Sequence, residues 1–236
     1  RREKILNEEI QSPLLKNGAQ VVRDALSAIF PCKDQQIFEP DPALSLAARL
    51  LASNDTAEGV LYDAMCDVVK ADEGQSGFLH VYMGNYADGD LNAVHEMIMH
   101  PNVIVGAADG GAHVNVICDA SYTTFMLQHW VRDRQRGDKL PLEIAIQMLT
   151  KTPADLYGLY DRGVIEVGKK ADINVIALNN LSLQMPYVAN DLPTGAPRLL
   201  QRAEGYVATM VAGQIINRNG HDTGARPGKL VRRSAA

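Results

Sequence analysis

The stretch that decides the fold is VIVGAADGGAH, Val103–His113. An apolar run ends in an aspartate and is followed at once by two glycines, an alanine and a histidine. A continuous apolar run of this length is typical of a strand in a parallel sheet, which is buried on both faces. Because ligands bind at the carboxyl ends of such strands, the run places Asp109 at the mouth of a predicted site.

The segments around this run alternate between strand and helix patterns. GFLHVYMGN, residues 77–85, is aromatic and β-branched and predicts a strand. A helix pattern with Asp90 as its cap separates it from the apolar run, and SYTTFMLQHWVRDRQRG predicts a helix from Ser121 to near Gly137. This order predicts parallel strands joined by helical crossovers, which is an α/β fold.

The flanking regions have other patterns. Apolar residues at helical spacing predict a helix over 44–51 and another with Asn54, Asp55 or Thr56 as its possible N-cap, whereas the proline-containing segment 24–43 is interpreted as irregular. Beyond Gly158 the chain is β-rich, and Asn219-Gly220 is a strong hairpin-turn dipeptide.

Composition excludes several classes of partner. The net charge of −5 and the isoelectric point near 5.7 argue against nucleic acid or an anionic membrane surface. No apolar run approaches the roughly 20 residues of a membrane span, and we expect no membrane partner. Three widely spaced cysteines fit a reducing cytosol, so we expect a cytoplasmic protein.

Asp109 and the residues after it form the candidate site. Gly110 and Gly111 allow a tight turn and a close backbone approach to whatever Asp109 holds, and His113 could point back towards the same place. A carboxylate in this position can bind a divalent metal and take a proton from metal-bound water. The alternatives are that Asp-Gly-Gly is only a turn and that His113 is a packing or loop residue.

Several stretches resemble one family. GAADGGAH (residues 106–113) is similar to the signature at the eighth barrel strand of the amidohydrolase superfamily, in its N-acyl-D-amino-acid deacylase branch. Residues 149–176 resemble the superfamily's closing signature, and residues 211–232, with TGARPG, resemble the C-terminal end of the deacylase branch. Ala108 departs from the pattern, because the family often has serine there.

The resemblance implies the C-terminal part of a (β/α)8 TIM-like barrel over residues 1–160, followed by a small β-sandwich and tail over residues 161–236. It also implies one or two zinc ions and hydrolysis of an amide bond in an N-acyl (D-)amino acid or similar small molecule. In that family the residue matching Asp109 is a metal ligand that carries the catalytic proton. Gly110, Gly111 and His113 would then contact substrate.

Most of the family's metal ligands are not found here. None of the six histidines forms the His-x-His pair that the superfamily carries at its first strand. Only 108 residues precede Asp109, too few for six β/α units at roughly 30 residues each. We therefore expect the missing ligands on an N-terminal part of the same protein or on a second chain.

Two alternatives to the deacylase remain open. The first is a cyclic amidase or another amidohydrolase. The second is a non-catalytic fragment or subunit that keeps the fold for assembly and needs a partner chain to supply the metal ligands.

Overall fold

The computed structural model describes residues 2–6, 24–32, 37–70, 77–82, 84–86, 88–106 and 108–232. The chain divides into two compact units, residues 1–94 and 95–236. The predicted division at residue 160 stays a prediction. None of the helices in the described ranges has the length and apolar character of a membrane span.

Helices and strands are mixed along the chain, as expected for an α/β fold. The α-helices are α1 (Arg2–Leu6), α2 (Leu46–Leu51), α3 (Ala57–Lys70), α4 (Asn92–Met99), α5 (Tyr122–Phe125), α6 (Leu142–Leu149) and α7 (Lys151–Leu156). The strands are β1 (Ile29–Cys32), β2 (Phe78–Val81), β3 (Ile173–Ile176), β4 (Ser182–Leu183), β5 (Tyr187–Ala189), β6 (Arg198–Leu200), β7 (Ala203–Glu204), β8 (Tyr206–Val211), β9 (Gln214–Arg218) and β10 (His221–Asp222).

The first unit packs α2 and α3 beside a two-stranded sheet. Its core contains six buried residues: Leu26, Ile29, Leu46, Ala57, Val60 and Ala64. Both helices begin at side-chain caps, since Ser45 Oγ accepts a hydrogen bond from Ala48 N at 3.2 Å and Thr56 Oγ1 accepts one from Gly59 N at 3.0 Å. The predicted helix near 44–51, the one beginning near Thr56 and the strand within 77–85 are therefore confirmed.

The expectation of parallel strands is wrong for the described residues. Strand β2 pairs with β1 in antiparallel register, Ile29 opposite Val81 and Cys32 opposite Phe78, and every other strand pair among the described residues is antiparallel too. Strand β1 lies in the segment that its prolines marked as irregular. Pro31 is tolerated because β1 pairs with β2 alone among the described residues, so the missing N–H of the proline can fall on the unpaired edge of β1.

The predicted strand at Val103–Asp109 is also absent from the described residues. Residues 103–106 and 108–109 have no regular secondary structure, and Val103 and Ile104 are 42% and 43% exposed. An apolar run becomes a buried strand only where neighbouring strands cover both its faces. The described residues of this chain provide no strand that pairs with this run.

The second unit contains an unusual helix. The predicted helix begins at Tyr122, one residue after Ser121, and ends at Asp133, before Gly137. Its first turn, α5, is an α-helix, and Met126–Asp133 continue it as a π-helix. The wider turn ends where Arg134 N donates to His129 O at 2.8 Å, five residues back.

The C-terminal part is β-rich, as predicted. Strands β10, β9, β8 and β3 form a four-stranded antiparallel sheet in that order, and β4–β7 and β5–β6 form two separate pairs. Asn219 and Gly220 join β9 to β10 with φ angles of 49° and 80°, which confirms the predicted hairpin turn. The arrangement of these strands as a sandwich stays a prediction, as does the barrel.

Candidate active site

The Asp109 loop, which we define as residues 108–118, is built from two consecutive turns. Ala112 N donates to Asp109 O at 3.0 Å and closes the first turn, in which Gly111 has a φ of +101°. Val116 N donates to His113 O at 2.8 Å and closes the second, where His113 itself has a φ of +43°. Glycine is favoured at position 111 because side-chain-bearing residues rarely adopt that backbone angle.

Gly110 is required for a different reason. A Cβ atom added there would lie 3.0 Å from Ala120 Cβ and 3.3 Å from its backbone. The absence of a side chain therefore lets the Asp109 turn pack directly against the residues that lead into α5. The two adjacent glycines therefore have separate roles. Gly110 allows a close contact with Ala120, and Gly111 allows a positive φ angle.

The predicted site residues lie together on one exposed surface. Asp109, Gly110, Gly111 and His113 are all exposed. Among the described residues, no hydrogen bond or ion pair is made to the Asp109 carboxylate, and none joins it to the His113 imidazole. The structure thus presents Asp109 on a turn with its carboxylate open to a ligand, and it gives His113 no contact with Asp109.

The last residue of the loop is a cysteine whose thiol is partly buried. Cys118 is half-buried, and burial together with the nearby carboxylate of Asp119 raises the pKa of its thiol. The thiol is therefore protonated near neutral pH and is a poor nucleophile and a poor metal ligand. The Cys118 thiol is therefore a weak candidate for the chemistry of this loop, whose other candidate groups are the exposed side chains of Asp109 and His113.

The described residues do not make a metal site by themselves. Nowhere in the described ranges are three histidine, cysteine, aspartate or glutamate side chains grouped so that they could hold a metal ion. A stable zinc site needs at least three protein ligands, and Asp109 offers one. The geometry thus does not fit a metal centre held by these residues alone.

Sequence reasoning missed the residues that hold the loop. Leu199 N donates to Val114 O at 2.6 Å, and Ser121 Oγ donates to Gln201 Oε1 at 2.5 Å. Gln201 comes directly after β6. No local pattern signals such a contact, because the partners are 80 residues apart in the chain.

Comparisons with known proteins identify a family for the chain. The pattern that defines the amidohydrolase family matches residues 57–217, which include the Asp109 loop. The chain is 38% identical over 100 residues to an allantoinase of Deinococcus radiodurans, a match that covers 42% of this chain and 21% of the allantoinase. No solved structure matches the chain at a comparable level. The family match extends over more than half of the sequence, and the chain belongs to the amidohydrolase family.

Proposed function

We propose that Asp109 is the proton carrier in hydrolysis of an amide bond in a small molecule. Membership of the amidohydrolase family supports hydrolysis of an amide bond as the reaction. The observation that supports the role of Asp109 is its place on a tight, glycine-dependent turn, with an exposed carboxylate that no described residue neutralises. A general acid or base needs this access to the reacting atoms.

The proposed reaction has two proton transfers. Asp109 takes a proton from a water molecule while the oxygen of that water bonds to the amide carbon. This step gives a tetrahedral intermediate. The carbon–nitrogen bond then breaks, and the protonated Asp109 returns the proton to the leaving nitrogen. One carboxyl group thus acts as base and then as acid, and the products are a carboxylic acid and an amine.

We propose an N-acyl amino acid, most plausibly of D configuration, as the first substrate class. The support is the resemblance of residues 106–113 and of TGARPG, residues 223–228, to the deacylase branch. Arg226 within TGARPG forms a two-point ion pair with Asp222, the shorter contact being 2.6 Å. That pairing gives Arg226 a structural role and leaves substrate recognition to other residues.

A cyclic amide is the second substrate class. The similarity to an allantoinase favours it, although that match covers only 21% of the allantoinase. In the proposed reaction a cyclic amide differs in one respect, since the leaving nitrogen stays attached to the product.

A substrate panel separates the two classes. The full-length protein that contains this chain is assayed with N-acetyl-D-methionine, N-acetyl-L-methionine and hydantoin. The deacylase assignment predicts release of free D-methionine and little turnover of the other two compounds. Ring opening of hydantoin alone would reject that assignment and favour the cyclic amidase.

We propose that the metal site is completed from outside the described residues. Members of the amidohydrolase family usually bind metal, and Asp109 would contribute one ligand to one or two zinc ions. The competing hypothesis is a non-catalytic protein that keeps the fold for assembly. Metal analysis of the purified full-length protein decides between them, because a metal-free protein in which Asp109→Asn behaves as wild type leaves only the structural role.

Apolar side chains exposed between Tyr157 and Val167 support the presence of further polypeptide that covers them. Tyr157, Tyr160, Ile165 and Val167 follow one another along the chain with exposures of 67%, 65%, 89% and 103%. Several large apolar side chains exposed within a short stretch of chain favour a covering chain or domain. We propose that the covering polypeptide is the N-terminal part of the same protein or a second chain.

A further inference from the structure

We infer that Ser121 and Gln201 are positioning residues for Asp109. The inference rests on the proposed function, since it concerns how the chain holds the proton carrier in place. Asp109 receives no side-chain hydrogen bond from any described residue, so its position is set by the backbone of its loop. Whatever holds that backbone therefore sets the position of the Asp109 Cα and Cβ atoms, from which the carboxylate extends.

Contacts at three positions hold the Asp109 loop against the rest of the second unit. At its start, Gly110 lies against Ala120 so closely that no Cβ would fit without a shift. In its middle, Val114 O accepts a hydrogen bond of 2.6 Å from Leu199 N. Just beyond its end, Ser121 bonds to Gln201.

Two of these points converge on one extended segment. Leu199 lies in β6, and Gln201 comes two residues later. The same short segment thus holds the loop in its middle, through the backbone, and at its end, through a side chain. A shift of this segment would move both points together, and the Asp109 turn with them.

The Ser121–Gln201 contact is specific in its hydrogen bonding. A serine hydroxyl has one proton to donate. Gln201 Oε1 lies 2.5 Å from Ser121 Oγ, whereas Cys118 O lies 3.4 Å away, so the proton goes to the amide. Gln201 Nε2 donates in turn to Gln184 O at 2.9 Å, which fixes the orientation of its amide group.

The same helix makes further polar contacts to the β-rich part. The residues that make them follow Ser121 at successive spacings of three, four and four residues. The contacts are Thr124 Oγ1 to Tyr206 Oη at 2.8 Å, Leu183 N to Gln128 Oε1 at 2.7 Å, and Arg132 Nη1 to Leu178 O at 2.5 Å. Only the contact at Ser121 adjoins the Asp109 loop, so Gln128 provides a matched control.

The experiment compares Ser121→Ala and Gln201→Ala with Gln128→Ala in the full-length protein. Turnover is measured on the panel compound that wild type hydrolyses. Because a displacement of about 1 Å in a catalytic group can cost about 100-fold, we expect kcat to fall by about 10- to 100-fold in the first two variants, with KM unchanged. Gln128→Ala, which removes a similar contact at a distance from the loop, should keep wild-type kcat.

Two more variants separate positioning from loss of folding. Ser121→Thr keeps the hydroxyl and should restore most of the lost kcat. The double variant Ser121→Ala/Gln201→Ala should be no slower than the worse of the single variants, since both remove one shared contact. Circular dichroism and thermal unfolding accompany every variant.

The outcomes distinguish this inference from the proposed function. If Ser121→Ala and Gln201→Ala lose no more kcat than Gln128→Ala, the positioning role is wrong. An effect that appears in KM alone, or that Ser121→Thr does not rescue, overturns it too. If Asp109→Asn keeps wild-type turnover, the proposed function fails; if Asp109→Asn abolishes turnover while the Ser121 and Gln201 variants are normal, only the positioning role fails.

Discussion

Gly111 determines, at the scale of single residues, how the Asp109 turn is shaped. Its φ of +101° lies in a region that residues with a side chain rarely adopt, while the space around its missing Cβ is open. A substitution there therefore tests backbone strain without adding a steric clash. Gly106, three residues before Asp109, also has open space and an ordinary φ, and it serves as the control.

We predict that Gly111→Ala lowers the free energy of unfolding by about 1–3 kcal/mol, the usual cost of a strained backbone conformation. Gly106→Ala should leave it unchanged or raise it slightly, because alanine reduces the freedom of the unfolded chain. Urea unfolding of both variants measures the difference. Equal stability of the two variants would contradict the strain at position 111.

For single residues, the sequence indicated the turn at Asp109 but not the tertiary contacts that hold this turn in place. Asp-Gly-Gly predicts a turn with a positive φ angle because few other residues allow one, and the structure confirms that turn. The contact of Gly110 with Ala120 and the bond of Ser121 to Gln201 depend on tertiary packing. No local residue pattern encodes such contacts.

At the scale of secondary-structure elements, the end of the π-helix depends on a buried cation. Arg134 is 1% exposed, and its guanidinium lies 4.8 Å from the centre of the Trp130 ring. It donates to Asp138 O at 2.6 Å and to Arg136 O at 3.1 Å. The side chain thus closes the turn after the helix and covers the chain's only tryptophan.

We predict that Arg134→Lys lowers the free energy of unfolding by about 1–3 kcal/mol. A lysine keeps the charge, but its compact ammonium cannot reproduce the planar contact and the two separated hydrogen bonds. Trp130 fluorescence during denaturation reports the change directly. Arg218→Lys, on the exposed end of β9, is the control, and equal stability of the two variants would contradict this role for Arg134.

The segment before β3 contains an ion-pair network that should depend on pH. Hydrogen bonds from Arg162 and then Lys170 lower the pKa of Asp161 from 3.8 to about 2. Because the folded-state pKa is depressed, the ionised carboxylate stabilises the fold above about pH 4, and this contribution is lost as the pH falls towards about 2. Asp161→Asn should therefore be less stable than wild type at neutral pH.

Urea unfolding at a series of pH values tests whether the stabilisation by Asp161 is lost as the pH falls. The stability difference between wild type and Asp161→Asn should shrink as the pH falls through that range. Asp138→Asn, which removes a carboxylate outside this ion-pair network, should follow the wild-type pH dependence. A constant difference between wild type and Asp161→Asn at every pH would show that the ion pairs are not its cause.

Elements with a local signal were predictable, and those that depend on distant partners were not. Helices α2 and α3 follow from the helical spacing of their apolar residues, and α3 also from its candidate caps, of which the structure uses Thr56. The apolar run at residues 103–109 carries the composition of a strand but no neighbouring strand among the described residues. Strand β1 was missed because Pro31 argues against a strand everywhere except at an edge.

At the scale of the whole molecule, the account predicts that this chain does not act alone. The basis for this is the exposure of apolar side chains between Tyr157 and Val167, together with the lack of any grouped set of metal-ligating side chains among the described residues. We predict that the isolated chain self-associates and elutes from size exclusion well above its mass of 25.7 kDa. A compact, soluble monomer would contradict the proposed need for a partner.

The central claim is that Asp109 carries the proton in amide hydrolysis. The most direct measurement is kcat of the full-length Asp109→Asn variant beside Asp138→Asn, an exposed aspartate outside the loop. The account predicts a loss of at least about 10³-fold for Asp109→Asn with unchanged circular dichroism, because the amide cannot accept the proton, and wild-type turnover for Asp138→Asn. Near-normal turnover of a folded Asp109→Asn protein would contradict the claim.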